Sequence, residues 1–227
     1  MKFRIILAAA AAPAALAGIL LGTAGHASAA TQAPVTGVSA YFYGPSGQTL
    51  GGPQPMGPFG GAHVSFSPSQ YLALTTEKAN NTDLTGKTIT IYGHLDRSAV
   101  QDRHHEPPAV ARVYFEGSSG GANANSPDAY QAQQWWAHPD PAAVLDLNQV
   151  NPAGIDFVLT VPVAATSDWS NWNGQSADAN PALFSGAASH VRQIGLSFGS
   201  NHFFETGVTG TGGLTITNIT VTPTTTP

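Results

Sequence analysis

The sequence predicts an all-β protein, an antiparallel β-sandwich of the jelly-roll type with one short helix. Two observations support this prediction. Several segments alternate apolar and polar residues at a period of two, and none shows the longer apolar period of an extended helix. The composition agrees, because 25 Gly and 17 Pro among 227 residues favour short strands joined by many turns.

Five segments carry the strand pattern most clearly. In each, every second residue would face a core while the residues between them face water. Near the C-terminus the apolar phase changes between residues 214–216 and 219–221, which predicts a β-bulge around Thr217 and Asn218. The five segments are 88–92, 111–116, 155–163, 193–198 and 214–221.

The helix is predicted over residues 181–190, because Asn180 is a good N-cap and a proline follows it in the first turn. We expect one domain over residues 30–222, followed by a Thr/Pro tail at 223–227. Residues 30–82 are too few and too rich in Gly and Pro to hold a core of their own. We therefore expect them to complete the same sandwich.

The first 29 residues predict a secretory signal peptide. Residues 2–4 supply two basic side chains, residues 5–21 are apolar and uncharged, and residues 27–29 supply the small side chains that signal peptidase accepts. A retained membrane anchor is the alternative, which Pro13 and Gly18 disfavour because they interrupt the apolar stretch. The mature protein is thus expected to be secreted and extracellular, with no membrane attachment.

Composition excludes several classes of function. Only 9% of the residues are charged, against roughly 25% in an average soluble protein. Because the chain has no cysteine, it can form no disulfide, no thiolate metal site and no cysteine nucleophile. The formal net charge of −5 argues against a nucleic-acid partner, since such proteins usually present a basic surface.

Two short motifs resemble enzyme or metal sites, but their context favours plainer interpretations. Residues 195–199 and 117–121 fit the G-x-S-x-G pattern of serine hydrolases, which requires a strand followed directly by a helix. A poor helix sequence follows the first match, and a Gly/Ser/Asn loop surrounds the second. Residues 103–106 contain two histidines and a glutamate, yet adjacent residues on an extended chain point to opposite sides, so a solvated loop is expected.

Calcium is the metal that the sequence favours, as a structural ion. Sandwiches exported without disulfides often use it, and carboxylates, amides and backbone carbonyls are its natural ligands. The candidate ligands are Asp83, Asp168, Asp178 and Glu205, although no spacing singles out a site.

The tryptophans give the strongest functional signal, because all four lie between residues 135 and 172. Trp169 and Trp172 belong to the polar segment 168–173, where nothing in the local pattern buries them. A flat indole can cover the C–H face of a sugar while neighbouring amides and carboxylates fix its hydroxyl groups. The alternative is that these rings close one end of the sandwich. A second aromatic loop, residues 200–205, could lie beside this one.

One strand adds further candidates for ligand binding. Arg112, Tyr114 and Glu116 alternate with apolar residues, so we expect them on a solvent-exposed strand face beside the two loop tryptophans. Trp135 and Trp136 are adjacent on another predicted strand and must face opposite sides. One of these two rings is therefore expected in the core, and the other exposed or beneath a loop.

Several of these segments together resemble a known family. They are Leu84–Ile89, Val113–Phe115, Asp168–Ser170, His190–Phe198 with its pattern Val-x-Gln-Ile-Gly-x-x-Phe, and Leu214–Val221. Residues 83–222 are in this respect similar to carbohydrate-binding modules of the galactose-binding-like β-sandwich type, found in exported bacterial proteins. The resemblance implies sugar binding without catalysis, often with a structural calcium ion.

We therefore expect a secreted, monomeric protein that binds a polysaccharide or a cell-wall glycan without catalysis, through Trp169, Trp172, Arg112, Tyr114 and Glu116. A jelly-roll polysaccharide lyase or glycoside hydrolase is the first alternative. A hydrolase would need two carboxylates about 5–10 Å apart in a cleft, and no motif of such enzymes is present. The second alternative is a secreted structural or protein-interaction domain.

Overall fold

Two antiparallel sheets enclose the main hydrophobic core in the computed structural model, which describes residues 37–52, 54–58, 61–117, 133–137, 143–148, 150–200 and 204–224. The predicted all-β sandwich is confirmed. The predicted signal peptide, most of the 117–121 motif and the last three residues of the predicted tail lie outside the described residues. Among the described residues, no helix is long and apolar enough to cross a bilayer.

The large sheet has the strand order β12-β9-β8-β13-β5-β1-β2 among the described residues. Strand β10 pairs with β8 beyond the end of β9, while β14 pairs with both β5 and β7. Its strands are β1 (Ser39–Tyr43), β2 (Gln54–Pro55), β5 (Tyr71–Thr82), β7 (Ala99–Asp102), β8 (Ala109–Gly117), β9 (Gln134–Ala137), β10 (Val144–Asp146), β12 (Trp169–Asn171), β13 (Val191–Ser200) and β14 (Val208–Thr211).

The small sheet has the order β11-β6-β15-β4-β3. Its strands are β3 (Gly57–Pro58), β4 (Ala62–Ser65), β6 (Lys87–Leu95), β11 (Ile155–Pro162) and β15 (Gly213–Pro223). The register of β15 against β6 shifts between Ile216 and Asn218, which confirms the predicted bulge. The extra residue lets both apolar phases of β15 reach the core, with Leu214 and Ile216 before the bulge and Ile219 after it.

Side-chain alternation on β8 shows how the large sheet is covered on both faces. Val113 and Phe115 are buried in the main core between the sheets. Tyr114 points to the opposite face, where it is buried in a second, separate cluster. The large sheet therefore carries a second buried layer on its outer face.

The helix α1 (Pro181–Ala188) confirms the predicted element, although it ends two residues earlier than predicted. Asn180 occupies the N-cap position without a side-chain cap hydrogen bond, and its Nδ2 donates to the backbone oxygen of Ser176. Phe184 is buried and anchors the helix to the core, with its ring 5.1 Å from that of Trp135. Burial of one large aromatic side chain contributes roughly 2–3 kcal/mol, which offsets the poor capping.

Candidate functional site

The outer face of the large sheet carries the second buried cluster, which we call the aromatic face. It consists of Tyr41, Tyr43, Ala73, Leu74, Tyr114, Trp136 and Phe204. Strand register aligns Ser170, Trp136, Tyr114 and Gly195 across β12, β9, β8 and β13. The aromatic face therefore crosses the middle of the sheet rather than lying at its edge.

Strand β13 contributes only small residues to the aromatic face, so the bulky rings come from the strands on either side. Gly195 and Ser197 alternate with the core residues Leu196 and Phe198. A Cβ atom at Gly195 would lie 1.7 Å from the backbone oxygen of Thr75, so no other residue fits this position. The surface of the aromatic face is therefore depressed along β13, between neighbouring strands that carry large aromatic side chains.

Two rings from distant segments flank Trp136. The ring of Phe204 is stacked on it, with centroids 5.4 Å apart and planes inclined by 13°. The ring of Trp172 lies 5.8 Å away at 50°. Trp136 is fully buried, whereas Trp172 is 49% exposed. Trp172 thus presents a large apolar surface to solvent at the border of the aromatic face.

A tight turn after β12 holds Trp172 in this position. The side chain of Asn171 is buried and accepts the backbone N–H groups of Asn173 and Gln175, both at 3.0 Å. Its Nδ2 donates to Oε1 of Gln175 at 2.9 Å. Gly174 adopts a φ of +70°, which glycine tolerates at no steric cost. The backbone turn that carries the exposed indole is therefore fixed by hydrogen bonds.

Arg112 is a buried cation beneath Phe204. It is 1% exposed, its Nη2 donates to the backbone oxygen of Ser200 at 2.5 Å, and its Cζ lies 4.7 Å from the centre of the Phe204 ring. Desolvation lowers the pKa of Arg112 to about 10, so it stays protonated at neutral pH. Within the described part of the chain it pairs with no carboxylate.

Two carboxyl groups border the same face. Tyr43 Oη donates to Oε1 of Glu205 at 3.0 Å. Burial raises the pKa of Glu205 to about 7, and the nearby charge of Glu116 adds to this effect. Burial also raises the pKa of Glu116, while the ion pair that Glu116 forms with Arg192 opposes that shift. Each acid therefore has its own partner.

A polar cleft of about 310 Å³ continues the aromatic face toward the ends of the strands. Register places Gln193 of β13 between Lys78 of β5 and Glu116 of β8. The cleft is lined by Lys78, Asn80, Asn81, Glu116, Arg192 and Gln193. Amide and charged groups therefore lie one row beyond Tyr114 and Trp136.

Four polar side-chain atoms on the aromatic face form no hydrogen bond in the described structure. They come from four adjacent strands, and each is buried: Arg112 Nε, Trp136 Nε1, Ser170 Oγ and Ser197 Oγ. Leaving one buried polar group unsatisfied costs about 1–3 kcal/mol. Ordered water or the hydroxyl groups of a ligand can satisfy buried polar atoms of this kind.

The structure corrects the predicted exposure of three site residues. Trp169 is fully buried in the main core, where its ring lies 5.0 Å from that of Phe115 and its Nε1 donates to Pro162 at 2.8 Å. Arg112 and Tyr114 are also buried, because a second layer covers their strand face. Trp172 is exposed as predicted, and Glu116 is partly buried. The binding role of all five residues stays a prediction.

Sequence reasoning did not single out Trp136 and Phe204 as site residues. Trp136 was expected only to oppose Trp135, and the structure shows both rings buried on opposite faces of β9. The two aromatic loops, whose proximity the sequence leaves open, both reach Trp136 through Trp172 and Phe204. The one sequence signal for Trp136 and Phe204 is that each lies in a segment rich in aromatic residues.

The four candidate calcium ligands do not converge. Asp83, Asp168 and Asp178 each accept hydrogen bonds within their own turns, and Glu205 accepts that of Tyr43. Among the described residues, no three His, Asp or Glu side chains form a group that could hold a metal ion. Calcium binding stays a prediction.

Comparisons with known proteins give one structural similarity. No protein-family model and no curated protein sequence matches the chain. A solved structure described as "xylan-binding module CBM15" is similar over 86% of this chain and 96% of that chain, with a TM-score of 0.43 and 14% sequence identity.

Proposed function

We propose that this protein binds a polysaccharide or cell-wall glycan on the aromatic face, without catalysis. The observation that supports this most strongly is the exposed ring of Trp172, fixed beside Trp136 on a face with four unpartnered polar atoms. We further propose that the protein acts outside the cell as a monomer.

The chemistry of the face suits a sugar chain. A pyranose ring has apolar C–H faces and equatorial hydroxyl groups, so it needs a flat ring and several hydrogen-bonding groups close together. Trp172 offers the flat ring, and a ligand that displaces part of the second layer would reach the buried donors and acceptors Trp136 Nε1, Ser170 Oγ and Ser197 Oγ. The adjoining cleft adds the polar groups of Gln193 and Asn81 for a following sugar unit.

Glycoside hydrolysis is a second candidate, favoured by one observation. Glu205 has a pKa raised to about 7, as a general acid requires, and Glu116 lies close enough to contribute to that shift. Binding alone is the better proposal, because Tyr43 engages Glu205 and Arg192 engages Glu116. Release of new reducing ends from a glycan panel, abolished in Glu205→Gln, would establish the hydrolase instead.

The experiment that tests glycan binding compares two exposed aromatic residues on opposite sheets. Calorimetric titration and pull-down with a panel of soluble and insoluble polysaccharides would use wild type, Trp172→Ala and Tyr92→Ala. Tyr92 is the matched control, since it is 37% exposed on the outer face of the small sheet. We expect Trp172→Ala to weaken binding about tenfold or more, or roughly 1.4 kcal/mol, and Tyr92→Ala to change it less than twofold. Equal binding by wild type and Trp172→Ala would refute the proposed site.

A further inference from the structure

We propose that the glycan is anionic and that its carboxylate or sulfate group pairs with Arg112. This inference rests on the proposed function and specifies the class of ligand that the aromatic face binds. It is carried by a cation that is buried against Phe204 on that face, with no counterion in the part of the chain that the structure describes.

Arg112 is unusual because no carboxylate among the described residues pairs with it. Buried arginines are nearly always paired, since an uncompensated charge in a protein interior is strongly destabilising. The guanidinium of Arg112 makes one hydrogen bond, to the backbone oxygen of Ser200, and its Nε has no partner in the described structure. An arginine used only for packing could be replaced by an apolar side chain without this cost.

Two carboxylates border the same face, yet neither neutralises Arg112. Glu116 forms its ion pair with Arg192, and Glu205 accepts the hydroxyl of Tyr43. The fold thus directs both acids to other partners and leaves the planar donor edge of Arg112 for an external oxyanion. Guanidinium groups bind carboxylate and sulfate oxygens well because they present several parallel donors.

Phe204 marks the place where the charged sugar would lie. Its ring is stacked on Trp136 with planes inclined by 13°, and Cζ of Arg112 lies 4.7 Å from its centre. A pyranose ring that replaced Phe204 on the indole would place a substituent group beside Arg112. Phe204 is only partly buried, so the ligand can displace it without opening the main core. The ligand would then provide both the stacking ring and the missing counterion.

The test compares glycans that differ chiefly in charge. Polygalacturonate is paired with its methyl-esterified form, and a sulfated carrageenan with neutral agarose, which separates carboxylate from sulfate as the source of the anion. Affinities are measured for wild type, Arg112→Gln, Arg112→Lys and Arg97→Gln. Arg97 is an exposed arginine in the turn after β6, so its substitution removes the same charge away from the aromatic face.

We expect wild type and Arg97→Gln to bind at least one anionic glycan tenfold or more tightly than its neutral counterpart. Arg112→Gln should lose this preference to within about threefold, and Arg112→Lys should retain part of it. A protein with a formal net charge of −5 has no general attraction for polyanions, so such a preference requires a specific cation.

The outcomes separate this inference from the proposed function. Equal affinity of wild type for charged and neutral members of both pairs would overturn the anionic ligand and leave glycan binding intact. Failure to bind any glycan would overturn both. A folded Arg112→Gln that keeps the preference would overturn the role of Arg112. If that variant does not fold, wild type still decides, because only anionic binding should weaken steeply between low and high salt.

Discussion

The outer faces of the two sheets differ sharply, although both belong to the same sandwich. The outer face of the small sheet carries short polar side chains in register, such as Thr160, Thr90 and Thr220 across β11, β6 and β15. The outer face of the large sheet carries stacked aromatic rings, a buried arginine and two partly buried acids. A sandwich needs only its inner faces covered. The second layer on the large sheet is therefore an addition that the fold does not require, and it points to function.

The largest difference in stability is expected between alanine variants of two tryptophans, Trp169 and Trp172, which lie three residues apart. Trp169→Ala should lower the free energy of unfolding by about 3–5 kcal/mol, because it empties a fully buried site between Phe115 and Phe184. Trp172→Ala should lower it by less than about 1 kcal/mol, since half of that ring already faces solvent. Urea unfolding of both variants measures the difference, and similar losses would contradict the distinct roles of the two rings.

The next effect concerns the buried acid of the aromatic face. Because the folded-state pKa of Glu205 is raised to about 7, its contribution to stability is present at low pH and is lost as the pH rises to that value. Glu205→Gln removes this dependence while keeping an acceptor for Tyr43. Between pH 5 and pH 8, the free energy of unfolding of the variant should therefore rise by about 2–3 kcal/mol relative to that of wild type.

Urea unfolding at both pH values provides the comparison. Glu106→Gln serves as the matched control, because it makes the same substitution at an exposed glutamate in the loop after β7. A constant difference between Glu205→Gln and wild type across this range would show that Glu205 titrates normally.

A smaller effect is expected in the turn that holds Trp172. Asn171→Ala removes three hydrogen bonds from a buried amide and should cost about 1–2 kcal/mol of stability. Glycan affinity should fall severalfold because the indole is no longer fixed, and Trp172→Ala should have little further effect in that background. Asn173→Ala is the control, since Asn173 is exposed in the same turn. Full affinity in Asn171→Ala would show that the turn does not position the ring.

The smallest effect belongs to the small sheet. Thr220→Val on its outer face should change stability by no more than about 0.5 kcal/mol and leave glycan affinity unchanged. Valine has a similar shape and an equal preference for strands. A loss of binding in this variant would show that the glycan contacts the small sheet, which would contradict binding on the aromatic face.

Local sequence patterns predicted most of the fold and part of the site. Alternation identified β6, β8, β11 and β13, and the phase change in β15 located its bulge. Such patterns report which residues share a face, because side chains alternate along a strand.

The same patterns could not predict what covers each face. Arg112 and Tyr114 alternate as surface residues do, yet Phe204, some ninety residues later, folds onto their side of the sheet. Trp169 lies in a polar segment, yet Phe184 of the helix and Phe115 of β8 enclose it. Burial here depends on contacts between distant segments, which local alternation does not report.

Whether a glycan lies on the aromatic face can be read from the four indole N–H resonances, because the tryptophans lie on both faces of the large sheet. In ¹⁵N-labelled protein, assigned with single Trp variants, glycan titration should shift the signals of Trp136, whose N–H is unpartnered in the described structure, and of exposed Trp172. Trp169, whose N–H donates to Pro162, should stay unchanged together with Trp135. Unchanged indole signals of Trp136 and Trp172, with shifts confined to the amides of the small sheet, would contradict the account.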